Sequence, residues 1–286
     1  MNKSIGVVTD SNSGITSSQA KEWGITVIPM PFYINSELYY EGLTLNSEEF
    51  YKFLASNAEV NTSQPAPGEV ISTWEDLLKD KESIVYIPMS SSLSSSCETA
   101  TVLSNEYEGR VFVVNNRRIS VTQLQSVKDA INLVNKGKSA KEIKEILEYR
   151  QYKSSIYIVP DTLDYLKKGG RLTPAVASFA KVLNIKPVLQ IQGEKLDAFK
   201  KVRGMKQAKR TMKEAIADDI KNRFSDIPSM KIYAAYTGEK EIGDAWKLEL
   251  EEAFPSYNIE AYPLSLSVSC HIGPGALGIA CVEELI

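Results

Sequence analysis

The chain has 286 residues, 43% of them apolar, and a formal charge of −3. That length and apolar content suit two domains with separate cores, and the slight acidity argues against a nucleic-acid surface, which is usually basic overall. Three cysteines (Cys97, Cys270 and Cys281) are odd in number and lack metal-ligand spacing, as expected for free thiols in a reducing compartment. Met1-Asn2-Lys3-Ser4 leads into strand-like sequence without an apolar signal core, and no run approaches the roughly 18 apolar residues of a membrane span. A soluble cytoplasmic protein is the expectation.

In chain order, Ile5 to Thr9 reads as a strand, Asp10 to Gly14 as a turn, and Thr16-x-x-Gln19 as a capping box that opens a helix. Ile25 to Met30 is a second strand, and Phe32 to Tyr40 a hairpin turning at Asn35-Ser36. Asn46-x-x-Glu49 starts a helix through Ala55, and another is expected from Gly68 to Lys79. Strands at Ile84 to Ile87 and Val111 to Val114 each lead to a helix, one reaching Tyr107 and one spanning Ser120 to Asn135. Ser139-x-x-Glu142 caps a further helix through Arg150. Strands alternating with helices argue for a parallel sheet covered on both faces, with ligands beyond the carboxyl ends of its strands. Asp10, Ser11, Ser90 and Asn115 fall there.

Beyond this the texture changes. Strand-like runs occur at Ser155 to Val159, Pro187 to Ile191, Leu196 to Val202, Lys231 to Tyr236 and Ile259 to Tyr262, with a hairpin at Gly193-Glu194. Helices are expected from Pro174 to Leu183, Met205 to Arg223 and Ile242 to Phe254. The expected architecture is two-domain α/β: an N-terminal parallel-sheet α/β/α domain (1–160) and a C-terminal mixed or antiparallel-sheet α+β domain (161–286).

Three polar stretches stand out. Asn61-Thr62-Ser63-Gln64-Pro65-Ala66-Pro67 offers hydroxyls on a loop stiffened by two prolines. Ser90-Ser91-Ser92-Leu93-Ser94-Ser95-Ser96 lies between a strand and a helix N-terminus, where free N–H groups and the positive dipole end favour an anion. Capping accounts for one or two of those serines, not for six. The third stretch, Ser265 to Ala276, reads as an extended serine run followed by Cys270-His271-Ile272-Gly273-Pro274-Gly275, and holds the only histidine.

Together with Thr9-Asp10-Ser11 and Lys168-Gly169-Gly170-Arg171, these motifs resemble, along essentially the whole chain, the DegV family of bacterial fatty-acid-binding proteins. The resemblance implies one long-chain fatty acid in a buried tunnel as the ligand, with no cofactor. Its carboxyl group would be presented to a separate dihydroxyacetone-kinase-like fatty acid kinase that phosphorylates it. Carried onto this chain, the ligand set is Thr62, Ser63, Ser94, Ser95, His271 and Gly273, with Arg171 at the rim. Two departures are visible: the family usually has Gly-Thr where this chain has Ser95-Ser96, and Ser where it has Ala66. The bulkier Ser95 narrows the space beside the ligand head and bears on which acyl chain is preferred.

The residues support a carboxyl ligand independently. Thr62 and Ser94 hydroxyls can each donate to one oxygen, and His271 can donate or, when protonated, carry a charge. With Thr62 and Ser94 in the first domain and His271 in the second, the head group is expected at the domain interface. No trio of metal-type ligands accompanies the histidine. Channel candidates are Ile28, Phe32, Leu93, Phe179, Leu183 and Leu266, all of which suit an ordinary core equally well. A rival reading is an acyl-ester hydrolase with Ser94, His271 and Asp10 as a triad, although no Gly-x-Ser-x-Gly elbow surrounds any serine. Another is a sugar- or phosphate-binding module on the serine loop. Lys206, Lys209, Arg210 and Lys213 recur on one helix face, either as a solvated stripe or as a docking surface for the kinase or a transiently visited membrane surface.

Overall fold

The computed structural model describes residues 4–56, 58–178 and 185–285, which divide into two compact units. The first holds the described chain up to Tyr152 together with Ser265–Ser267 and Leu285; the second holds Lys153–Leu264 and Val268–Glu284.

The first unit runs β1 (Ile5–Asp10), α1 (Ser17–Trp23), β2 (Thr26–Ile28), β3 (Pro31–Ile34), β4 (Glu37–Tyr40), α2 (Ser47–Ala55), β5 (Val60–Thr62) and α3 (Pro67–Leu77). It continues through β6 (Ser83–Ile87), α4 (Ser96–Ser104), β7 (Val111–Val113), α5 (Ser120–Asn135) and α6 (Ala140–Tyr149). The parallel sheet has the order β2-β1-β6-β7, and its apolar strands pack on Trp74, which is fully buried. All three capping boxes read from the sequence are formed, at Thr16/Gln19, Asn46/Glu49 and Ser139/Glu142. The β3–β4 hairpin turns at Asn35 and Ser36, both at positive φ (49° and 72°), as a two-residue primed turn requires. β5 is an addition to the sequence reading. Its three residues pair with β3, setting Thr62 opposite Phe32 in a separate sheet ordered β4-β3-β5. Nothing local marks so short a strand; it exists because β3 offers an edge.

The second unit contains β8 (Ser154–Val159), α7 (Asp164–Lys168), α8 (Pro174–Ala177), β9 (Lys186–Ile191), β10 (Asp197–Val202) and α9 (Gly204–Asp218). β11 (Met230–Tyr236), α10 (Lys240–Ala253), β12 (Glu260–Pro263), α11 (Leu266–Ile272) and β13 (Leu277–Glu283) complete it, except that the first two residues of α11 belong to the first unit. Its sheet is mixed, ordered β10-β9-β8-β13-β11-β12, with only β11 and β12 parallel among its paired strands. β13 lies between β8 and β11, and the sequence reading missed it. All but the last of its residues are buried, so Leu277-Gly278-Ile279-Ala280-Cys281-Val282 shows no strand alternation to read. Fully buried Trp246 donates its indole N–H to the Gly278 carbonyl at 2.7 Å, tying α10 to this strand.

One expectation is overturned. The Ser265 to Ser269 run is not extended: Leu266 to Ile272 form α11. Alternating serines imitate a strand period, but two of their hydroxyls take part in local bonds, Ser269 Oγ donating to the Leu264 carbonyl at 3.3 Å and Ser265 Oγ lying 3.1 Å from Ser267 Oγ. The helix expected from Pro174 is described as α8 through Ala177; the rest of that reading, with the channel candidates Phe179 and Leu183, falls outside the described residues.

Candidate functional site

In the first unit, the serine loop is anchored by the end of β1. Asp10 is fully buried and accepts from Met89 N (2.8 Å), Gln123 Nε2 (3.0 Å), Asn12 N (3.0 Å) and Asn12 Nδ2 (2.9 Å). Burial pushes its carboxyl pKa up while those donors oppose the rise. From Met89 the chain turns tightly, with Leu93 N and Ser94 N both donating to the Ser90 carbonyl (3.0 and 3.2 Å). Ser94 Oγ accepts from Ser96 N at 3.2 Å, which caps the start of α4 and leaves the hydroxyl proton of this half-buried serine to be donated elsewhere. Ser95 occupies the N-cap position, exposed and without a side-chain cap bond. Asn115, past the end of β7, donates to Ser91 Oγ at 2.9 Å.

The Thr62 loop joins this arrangement through Gln64, whose Oε1 accepts from Thr99 Oγ1 of α4 at 3.2 Å. Ser63 N donates to the Pro31 carbonyl at 3.2 Å, fixing the backbone beside half-buried Thr62, while the Ser63 side chain is exposed. The Gln64 bond thus ties the loop that follows Thr62 to α4, the helix whose start Ser94 contacts. Ile28 and Phe32 are core residues at 2% and 0% exposure, and Leu93 is half-buried.

In the second unit, the Lys168-Gly169-Gly170-Arg171 corner meets the histidine. A β-carbon placed on Gly169 would lie 2.0 Å from His271 Nδ1, so the imidazole occupies the space that the missing side chain leaves. Arg171 bends back to donate to the Gly169 carbonyl at 2.8 Å. Burial, and then the positive charge of Arg171, push the His271 pKa down to about 4. The ring is thus neutral near pH 7 and offers one N–H as a donor. Gly273 has φ +82° and packs on Tyr165, where a side chain would fall 2.3 Å from the ring. Its carbonyl accepts from fully buried Thr237 Oγ1 at 2.7 Å, and the same hydroxyl accepts from Ala276 N at 2.9 Å. Arg171, His271 and Gly273 are therefore held as one set.

A profile of the DegV family, described as uncharacterised protein, matches residues 4–284. The chain belongs to the DegV family. A DegV domain-containing protein of Staphylococcus aureus (strain N315) is 30% identical over 278 residues, covering 97% of this chain and 98% of that one. Among solved structures, a DegV family protein of Thermus thermophilus described by its fatty acid binding superposes with TM-score 0.88 at 25% identity, covering 98% of this chain and 99% of that one. DegV of Bacillus subtilis, described as a fatty acid binding protein, gives 0.87 at 26% identity, covering 99% and 100%.

Several residues that brace these loops within their own units carry no signal in the sequence. Gln64, Tyr165 and Thr237 each act on a partner remote in sequence, Thr99 for the first and Gly273 for the other two. The basic face of α9 is partly neutralised. Lys209 is paired with Glu249 at 2.5 Å and Arg210 lies 3.5 Å from Glu214, whereas Lys206 and Lys213 have no ion-pair partner among the described residues. A cleft of about 730 Å³ along the helix is lined by these cations together with Arg203. Among the described residues, no helix is long and apolar enough to cross a membrane and no metal-type cluster occurs.

Proposed function

We propose that this DegV protein binds one long-chain fatty acid, its carboxyl group held by Thr62, Ser94 and His271, with Ser63, Ser95, Gly273 and Arg171 around the head. The observation that carries the reading is the neutral imidazole fixed against Gly169 beside Arg171, a donor suited to a carboxylate, on a fold shared with proteins described as fatty acid binding. The tail supplies most of the affinity: roughly fifteen buried methylenes at about 0.8 kcal/mol each yield on the order of 12 kcal/mol gross. A triad reading loses support because Asp10, its proposed orienter, already accepts from four donors of its own unit. Native mass spectrometry of the purified chain should show about one fatty acid per protein, without hydrolysis of acyl esters. Esterase activity abolished by Ser94→Ala would reverse the assignment.

The protein then acts as a carrier rather than an enzyme, presenting the carboxyl group to a separate fatty acid kinase that forms the acyl phosphate. Lys206 and Lys213 of α9, without an ion-pair partner among the described residues, suit an acidic partner surface or an anionic membrane. Lys206→Glu with Lys213→Glu should leave melting unchanged, because surface charges contribute little to stability. The same pair should slow kinase-coupled turnover or vesicle exchange by about tenfold at low salt, and the difference should fade at high salt. Equal rates at low salt would return this face to the solvent.

A further inference from the structure

Glu41, just after β4, belongs to none of the ligand motifs, yet it closes a polar cluster inside the first unit. Its Oε2 accepts from Ser11 Oγ at 2.6 Å, and its Oε1 accepts from the backbone N–H of Leu266, with the Ser267 N–H also directed at the carboxylate. Ser11 Oγ in turn accepts from Met30 N at 3.0 Å. Ser267 donates its hydroxyl to Asn12 Oδ1, and Asn12 Nδ2 donates to Asp10 at 2.9 Å. Glu41 therefore grips Leu266 and Ser267, the first two residues of α11, and α11 is the helix that carries His271.

A helix of seven residues is too short to sustain itself by propagation, and its first N–H groups need acceptors from outside. Glu41 supplies them. As a residue Glu41 is partly exposed, but its carboxyl is enclosed; burial outweighs the three donors and, with the nearby charge of Asp10, pushes its pKa up to about 7. Asp10 is the ionisable group that faces it; Ser11 from the turn after β1 and the backbone of α11 face it as neutral donors. Around neutrality both protonation states are populated. The neutral carboxyl sits in the enclosure without a desolvated charge. The ionised one accepts more strongly but carries its charge beside Asp10, and is relieved when the turn loosens and admits water.

We propose that Glu41 is a positioning residue for His271: a carboxyl clasp on the first turn of α11 that holds the turn closed when neutral and lets it loosen when ionised. Its consequence for a bound fatty acid rests on the ligand reading given above; its effect on the histidine does not.

His271 is the only histidine, so its ring gives one unambiguous nuclear magnetic resonance signal. Its own titration, near pH 4, lies below the window of interest. In the intact ligand-free chain, the His271 ring signal should show an inflection near pH 7 when titrated between about pH 5.5 and 8.5. Glu41→Gln should remove that inflection and hold the signal at the low-pH position of the unaltered chain. Ser11→Ala, which takes away one donor to the ionised form, should move the inflection upward. A flat wild-type titration overturns the proposal without any variant, and so does an inflection that survives in Glu41→Gln. In a separate arm, release of a fluorescent fatty acid should be several-fold faster at about pH 8 than at pH 6, and independent of pH in Glu41→Gln. If the chain binds no fatty acid, the ligand reading fails while the ring titration still decides the clasp.

Discussion

Gly169→Ala is expected to expel the His271 ring from its seat and to weaken fatty acid binding, at a cost of about 1–3 kcal/mol in stability. The added carbon would fall 2.0 Å from Nδ1, 2.8 Å from Cε1 and 3.2 Å from Cγ, so it meets the Nδ1 edge of a rigid ring and not the free end of a flexible chain. The backbone itself raises no objection, since Gly169 has φ −77°, which alanine adopts freely. The penalty is therefore steric and local to the histidine. Gly170 provides the control: at φ +67° alanine is strained by about 1 kcal/mol, yet nothing lies within 4 Å of the added carbon. Denaturant unfolding should find both variants destabilised, while the His271 ring signal and the fatty acid affinity change only in Gly169→Ala. Identical behaviour of the two alanines would mean that Gly169 does not seat the ring.

The contrast between those glycines shows what a sequence alone can convey. Lys168-Gly169-Gly170-Arg171 looks like a helix stop, and Gly170 serves that purpose with its left-handed backbone. That Gly169 is needed for a different reason, the approach of a ring a hundred residues away, cannot be read from its neighbours. The same division runs through the fold. Capping boxes, the Asn35-Ser36 turn and the strand-helix alternation of the first unit were legible because each is a short-range pattern with a local physical cause. β5 and β13 were not: one is three residues borrowed by the edge of β3, and the other is buried too thoroughly to alternate. α11 misled because its serines recur with the period of a strand, while the bonds that make it a helix include those of Glu41, which lies far off in the chain. Thr62, Ser94 and His271 were proposed from motif order, whereas the bond of Gln64 to Thr99 and the contacts of Thr237 and Tyr165 with Gly273 join residues remote in sequence and leave no local pattern.

Thr62→Val, Ser94→Ala and His271→Gln should each raise the Kd for a long-chain fatty acid by roughly 10- to 100-fold while stoichiometry remains about one. A hydrogen bond to a charged group contributes about 1.5–3 kcal/mol, and the burial of the tail, which none of these substitutions touches, is several times larger. Loss of all binding in any single variant would instead indicate unfolding, which melting curves would reveal. On the proposed carrier role, acyl-phosphate formation with a kinase should fall further than affinity, because a carboxylate that loses one of three proposed contacts is also poorly aimed. The histidine adds a dependence on pH that the hydroxyls lack. Its folded pKa, about 4, lies below the ordinary 6.5, so the unfolded chain takes up the proton first as pH falls. The stability contributed by the neutral ring is complete above pH 6.5 and drains away as pH falls toward 4. His271→Gln carries no such proton and should show a shallower loss of stability across that interval, measurable as a smaller change in denaturation midpoint. If the two chains lose stability in parallel, the imidazole is not held neutral, and its role as an uncharged donor to the carboxylate fails with it.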